Sequence, residues 1–276
     1  MRQSNRGGLW RDWTGVLAMG KMVRGTMTVV LLAGCLGGCV GEMTGPRAIF
    51  LDGAGWYRGD WSVRSGLRRG GFPGPVDRFG WSSLLGPVHD HVTAGKDHPK
   101  VRQLTERIVR LRRQDSRSRL VLIGLSAGTS LIVSALEDLP DGMSVDHVVL
   151  LSPSVSSRHD LSKSLQHVKG RLYATYSPHD AILATVPSAG LERGPPAGRV
   201  GFKPPPNLSD RRRGLYDKVV NLPWRGEYAA YGWDGGHVSV TSAEFIRVVI
   251  APRILEDLRH PLDWEVVAGG EVIWDE

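Results

Sequence analysis

The stretch that most restricts how this chain can fold runs from Leu120 to Leu139. Leu120-Val121-Leu122-Ile123 is an unbroken apolar run, the pattern of a strand buried on both faces of a sheet. The run closes on Gly124, and from Ser130 onward apolar residues recur at 131, 132, 135, 136 and 139, on one side of a helix. Between strand and helix stands Gly124-Leu125-Ser126-Ala127-Gly128. A fully buried strand that passes straight into a helix belongs to a parallel sheet, because only helical crossovers cover both of its faces.

The same alternation extends along the chain. Ala48–Leu51 is a second short apolar run, closed by Asp52-Gly53-Ala54-Gly55. Val145–Leu151, Arg171–Tyr176 and Lys218–Leu222 read as further strands, and one more is expected near Gly80–Leu85. His98-Pro99 opens a helix, with proline in its tolerated first turn. Val101, Leu104, Ile108 and Leu111 mark its buried face. Lys100, Arg102, Arg107, Arg110, Arg112 and Arg113 form an opposite basic face, expected to be solvated, with anionic lipid head groups as the alternative contact. A last helix is expected over Ala243–Leu258. Residues 56–80 carry no legible period, and 184–218 read as a long loop or partial cap. The fold class is therefore α/β, a mostly parallel central sheet with helices on both faces.

Composition excludes several alternatives. At 41% hydrophobic and 23% charged, the 276 residues are too apolar and too weakly charged for a disordered chain. Two cysteines cannot build a disulfide scaffold. Of the net charge of +7, residues 1–34 carry +4, so the remainder has no excess that points to nucleic acid. Those first residues have the order of an export signal: Lys21 and Arg24, then the apolar Met27–Val40, then small residues. Met19, Met22 and Met27 are alternative start sites. Leu32-Ala33-Gly34-Cys35 resembles the lipobox of bacterial lipoproteins, which implies lipidation of Cys35, with Cys39 as the second candidate. The expected organisation is an export segment at 1–34, a tether at 35–47 and one domain at 48–276, anchored by lipid to the cell envelope.

The chemistry gathers at the ends of the strands. Ser126 stands on a strand-to-helix turn flanked by Gly124 and Gly128, which lifts its hydroxyl clear of the sheet beside the helix N-terminus. This resembles the α/β-hydrolase family, and the resemblance covers roughly residues 48–258. It implies a sheet reduced to about six strands, no cofactor and an order of nucleophile, acid and base. Asp180, in Ser177-Pro178-His179-Asp180 after a strand, matches the acid, and His237, in Gly235-Gly236-His237 before the last helix, matches the base. Asp160 and Asp234 compete for the acid, Asp234 otherwise shaping the histidine loop. The oxyanion donors fall to the N–H groups of Ala127 and Ala54, with Gly55 next. The family often has histidine before this glycine, where the chain has Asp52.

The implied activity is a serine hydrolase acting on ester or lipid substrates. An amidase or thioesterase with the same residues, or a binding module on the same scaffold, are the alternatives. Trp56, Tyr57 and Trp233 are either packing or an apolar wall for an acyl group. His89-Asp90-His91 lacks a third group at ligand spacing, so no metal is expected.

Overall fold

The computed structural model describes residues 45–54, 58–81, 90–91, 94, 97–189 and 194–260. The chain divides into two units, Met1–Val40 and Gly41–Glu276, and the described residues all belong to the second. The export segment, Cys35 and Cys39 lie outside them, as do Gly55, Trp56, Tyr57 and His89.

Six strands form one parallel sheet: β1 (Arg47–Leu51), β2 (Val76–Phe79), β3 (Leu120–Leu125), β4 (His147–Leu151), β5 (Leu172–Tyr176) and β6 (Val219–Pro223). Their order across the sheet is β2-β1-β3-β4-β5-β6, with every neighbouring pair parallel. The chain steps from β1 outward to β2 and then returns to β3 on the other side of β1. That reversal opens a crevice at the carboxyl ends of β1 and β3, where ligands of such sheets gather.

The strands read as apolar runs because both faces are covered. On one face, Ile49, Leu51, Leu120, Leu122, Val148 and Leu150 pack under α2 (Pro99–Gln114) and α3 (Ala127–Glu137). On the other, Phe50, Val121, Ile123 and Val149 pack under α1 (Gly59–Arg69) and the C-terminal helical segment. The helix α2 starts as expected, with Pro99 in its first turn and His98 Nδ1 accepting the Lys100 N–H at 3.1 Å. The C-terminal segment is α-helical over Ala243–Phe245, widens to π over Ile246–Ile250 and returns to α over Ala251–Arg259. Pro252 cannot donate a helical N–H, which accounts for the loosened turn just before it.

Two expectations are corrected and a third is made specific. The strand expected near Gly80–Leu85 is found at Val76–Phe79, residues 82–85 lying outside the described ones, and the stretch 58–80 holds both it and α1. Within 184–218, expected as a long loop or partial cap, the chain forms short helices at Ala197–Val200 and Asp210–Gly214 and a 3-10 turn at Leu215–Lys218. The basic face of α2 is not uniformly solvated. Arg107 pairs with Asp77 at 2.8 Å, and Arg112 is buried against Asp146.

Asp146 sits beneath the amino end of β3, where it also accepts the Leu120 N–H at 2.6 Å and an Arg119 N–H at 3.2 Å. Burial pushes its carboxyl up, but the Arg112 charge and these bonds outweigh it and hold the group below the ordinary aspartate range. A depressed carboxylate stabilises the fold above its unfolded pKa of about 3.9, and that contribution is lost as the pH falls through the folded value. Asp146→Ala leaves the Arg112 guanidinium buried without its partner, so a loss of about 3–5 kcal/mol is expected in urea unfolding at neutral pH. The variant's stability should also fall less than the parent's between about pH 5 and pH 2.

Candidate active site

Ser126 joins β3 to α3, at φ 51° and ψ −123°, a backbone conformation that L-residues rarely adopt. The strand ladder holds it there. Its N–H donates to Leu151 O at 2.9 Å, and its own carbonyl accepts from Thr129 N at 3.0 Å and from the Thr129 hydroxyl. Contact with backbone requires the glycine at 128, while Gly124 sits in a tight fit against the start of α3. A Cβ on Gly128 would lie 2.5 Å from Asp52 O, and one on Gly124 would lie 2.8 Å from Ile132 Cδ1. With hydrogen at both positions, α3 closes directly onto the ends of β1 and β3 and the serine is forced upward.

The loop after β1 sits beside it, with a Cβ built on Gly53 reaching 3.4 Å from Ser126 Cβ. Asp52 brackets this loop. One carboxylate oxygen accepts the Gly53 N–H and the other the Gly59 N–H, both at 3.0 Å, while its carbonyl accepts Trp81 Nε1–H at 2.7 Å. Burial pushes the Asp52 carboxyl up, and the two backbone N–H bonds partly offset that. The Gly53 N–H is thus spent on Asp52. Among the described residues no hydrogen bond takes the Ala54 N–H or the Ala127 N–H, the latter being the first residue of α3. The sequence placed Asp52 in this loop, but its bonds to Gly59 and Trp81 were not legible, because no motif links residues so far apart in sequence.

Asp180 and His237 meet at the carboxyl ends of β5 and β6. Asp180 is fully buried, and its Oδ2 lies 2.7 Å from His237 Nδ1. The other oxygen, Oδ1, accepts the Leu183 N–H at 2.9 Å and so caps the short helix Ala181–Thr185. One carboxylate therefore fixes both a backbone turn and an imidazole. Gly235, at φ 92°, allows the meeting. A Cβ there would stand 3.1 Å from Ser177 Oγ and 3.3 Å from His179 Cβ, so the histidine loop lies flush on the acid turn.

The other named residues take structural places. Asp160 accepts from Ser162 N and Oγ, and Asp234 accepts from Gly236 N and Ser239 Oγ, which shapes the histidine loop. Trp233 is not a substrate wall. It is buried against Tyr228 and Phe245, and its Nε1–H donates to Gly236 O at 3.2 Å. His91 is buried and its Nε2 lies 2.8 Å from Pro187 O. No group of three or more His, Cys, Asp or Glu among the described residues is arranged around a common metal position. A cavity of about 520 Å³ lies against Thr105, Val109, Arg110, Arg113, Asp138 and Pro140, on the flank of α2 and α3 and away from Ser126.

Beside Ser126, the backbone of Ser152 at the end of β4 is also left-handed, at φ 43°, and its buried Oγ has no hydrogen-bond partner among the described residues. Ser152→Gly removes both penalties at once. It is expected to raise the thermal midpoint by roughly 2–4 °C, about 1 kcal/mol, in a calorimetric scan.

No family model matches the sequence, and no curated protein matches it. The structure is similar to several solved ones. A predicted CIB-like hydrolase from Thermoplasma acidophilum has 15% identity over 79% of this chain and 89% of that one, with a TM-score of 0.46. An esterase of Pyrococcus furiosus has 14% identity over 78% and 82%, with a TM-score of 0.46. A poly(3-hydroxybutyrate) depolymerase from Bordetella parapertussis has 13% identity over 83% and 85%, with a TM-score of 0.43. The fold is read from the chain's own coordinates: a parallel sheet with its switch point at β1 and β3, a strained serine on the turn from β3 to α3, and an aspartate and a histidine after β5 and β6. A sheet, turn and residue order of this kind make this an α/β-hydrolase fold.

Proposed function

We propose that the protein is a serine hydrolase of carboxylic esters, with Ser126 as nucleophile, His237 as base and Asp180 as the acid that orients it. The observation that carries this reading is the buried 2.7 Å Asp180–His237 pair at the same end of the sheet as the strained Ser126 turn. An ionised Asp180 accepts the Nδ1 proton, which leaves Nε2 unprotonated and able to act as a base.

Ser126 Oγ attacks the ester carbonyl carbon while its proton passes to His237 Nε2. The carbonyl oxygen becomes an oxyanion and accepts from the N–H groups of Ala54 and Ala127. Collapse breaks the bond to the leaving alkoxide, which takes the proton from His237 and departs as alcohol. Water then attacks the acyl-enzyme and gives one proton to His237. That proton returns to Ser126 as the carboxylic acid leaves. Amides and thioesters would follow the same path with amine or thiol as the leaving group.

A fluorophosphonate probe tests the assignment. Wild type should label and Ser126→Ala should not. Folded wild type that does not label would turn the reading to a binding module on this scaffold. The sequence order of residues 1–40, basic residues before a short apolar run ahead of Cys35, supports a second proposal, export and acylation at Cys35. Labelled palmitate should be incorporated by wild type and lost in Cys35→Ala, whereas label retained in that variant moves the site to Cys39.

A further inference from the structure

Two neighbouring turns at the carboxyl end of the sheet hold serines in left-handed backbone, Ser126 after β3 and Ser152 after β4. Strain of this kind persists only where the surroundings fix it. Thr129, fully buried in the first turn of α3, reaches both turns with a single hydroxyl. Its Oγ1 accepts the Ser154 N–H at 3.3 Å, so its own proton is directed to the other contact, the Ser126 carbonyl. That carbonyl also accepts the Thr129 N–H at 3.0 Å. One residue thus supplies both donors that hold the Ser126 oxygen. Gly124 makes the close turn possible, since a Cβ there would stand 3.1 Å from Thr129 N.

The Ser126 carbonyl belongs to the same peptide as the Ala127 N–H. A trans peptide is planar, and its C=O and N–H point in opposite directions. Anchoring the oxygen therefore aims the hydrogen. The Ser126 ψ of −123° is far from the helical value of about −42°, so the pitch of α3 does not set this plane by itself. We propose that Thr129 is a positioning residue for the reaction: its hydroxyl fixes the Ser126–Ala127 peptide so that the Ala127 N–H faces the oxyanion, while its bond to Ser154 ties that peptide to the loop after β4. The inference rests on the ester-hydrolase reading and adds to it a residue outside the three that exchange protons. Ser154 carries the tie onward, since its carbonyl accepts the Ala189 N–H at 2.9 Å, in the segment that follows the Asp180 turn. Negative charge builds on the substrate carbonyl oxygen only as the serine attacks. A misaimed donor therefore costs turnover and leaves substrate affinity nearly unchanged.

The test compares Thr129→Val, which keeps the shape and removes the hydroxyl, with Thr129→Ser, which retains it. Thr129→Val should lower kcat for a p-nitrophenyl ester about tenfold, with KM within about twofold of wild type. A trifluoromethyl ketone inhibitor reports the same loss without turnover. Ser126 Oγ bonds to its carbonyl carbon, the serine proton passes to His237, and the negative charge rests on the former carbonyl oxygen. Its inhibition constant should rise about tenfold in Thr129→Val, in step with kcat. Thr129→Ser, with the same donor and lone pairs, should keep both within about threefold of wild type. Ser130→Ala removes the other hydroxyl contact to Ser154, at 3.3 Å, and none to Ser126, and should leave both unchanged. Thr129→Ala also lacks the hydroxyl, brings no methyl toward the Ser154 N–H, and replaces the valine variant if that one does not fold. Four outcomes would each overturn the proposal: an unchanged kcat and inhibition constant without the hydroxyl, a loss confined to KM, a serine variant as slow as the valine one, or an equal loss in Ser130→Ala. In all four, wild type still turns over and labels with fluorophosphonate, so the ester reading survives. Wild type that neither turns over nor labels sinks the ester reading and this inference with it.

Discussion

Ser126→Ala is expected to lower turnover of a p-nitrophenyl ester by about a million-fold, since in the proposed mechanism it removes the covalent nucleophile and with it nearly all that the three residues would achieve together. The replacement keeps the Cβ and the left-handed turn, so stability should stay close to that of the wild type. Ser126→Gly should be equally inactive but more stable, by about 1 kcal/mol or roughly 2–4 °C, because glycine occupies φ 51° without steric cost. The pair separates the two roles of the position. Turnover and a calorimetric scan check it, and an unchanged midpoint in the glycine variant would show that the turn stores no strain.

Asp180→Asn is the second large effect, about ten-thousandfold in kcat. The amide oxygen can still accept the Leu183 N–H and keep the cap on Ala181–Thr185. The amide nitrogen would then face His237 Nδ1, where the carboxylate oxygen now stands at 2.7 Å. Two donors cannot share that contact, so Nδ1 must turn acceptor and the proton moves to Nε2, where a base is needed. Circular dichroism should match the wild type while kcat collapses. If Asp180→Asn kept most of its turnover and Asp234→Asn lost it, the acid would be reassigned to the histidine loop.

The central strands were legible because burial on both faces leaves nothing to alternate: β3 is Leu-Val-Leu-Ile-Gly-Leu and every residue is buried. The edge strand β2 is Val-Asp-Arg-Phe, with Asp77 half-buried in ion pairs with Arg47 and Arg107 and Arg78 exposed, so its two apolar residues make no run and the strand was expected too late in the chain. Helix α1 hid for a different reason. Gly66 lies against Ala243 O and Ile246 in the close helix contact, and a glycine in that role reads as a loop when seen in one dimension. Arg112 looked like its exposed neighbours along α2, because Asp146, the residue that draws it inward, is 34 positions away.

By itself, the sequence determined the α/β layering and singled out Ser126, Asp180 and His237 as candidates, since strand runs, helix periods and a glycine-flanked serine are local patterns of a few residues. Only the tertiary structure decided that Asp52 brackets the loop beside the serine, that Trp233 packs in the core and that Trp61, in the first turn of α1, stands in water. Those outcomes depend on which distant segments meet at the carboxyl ends of the strands. A side chain's burial is set by neighbours that its own stretch of chain does not contain.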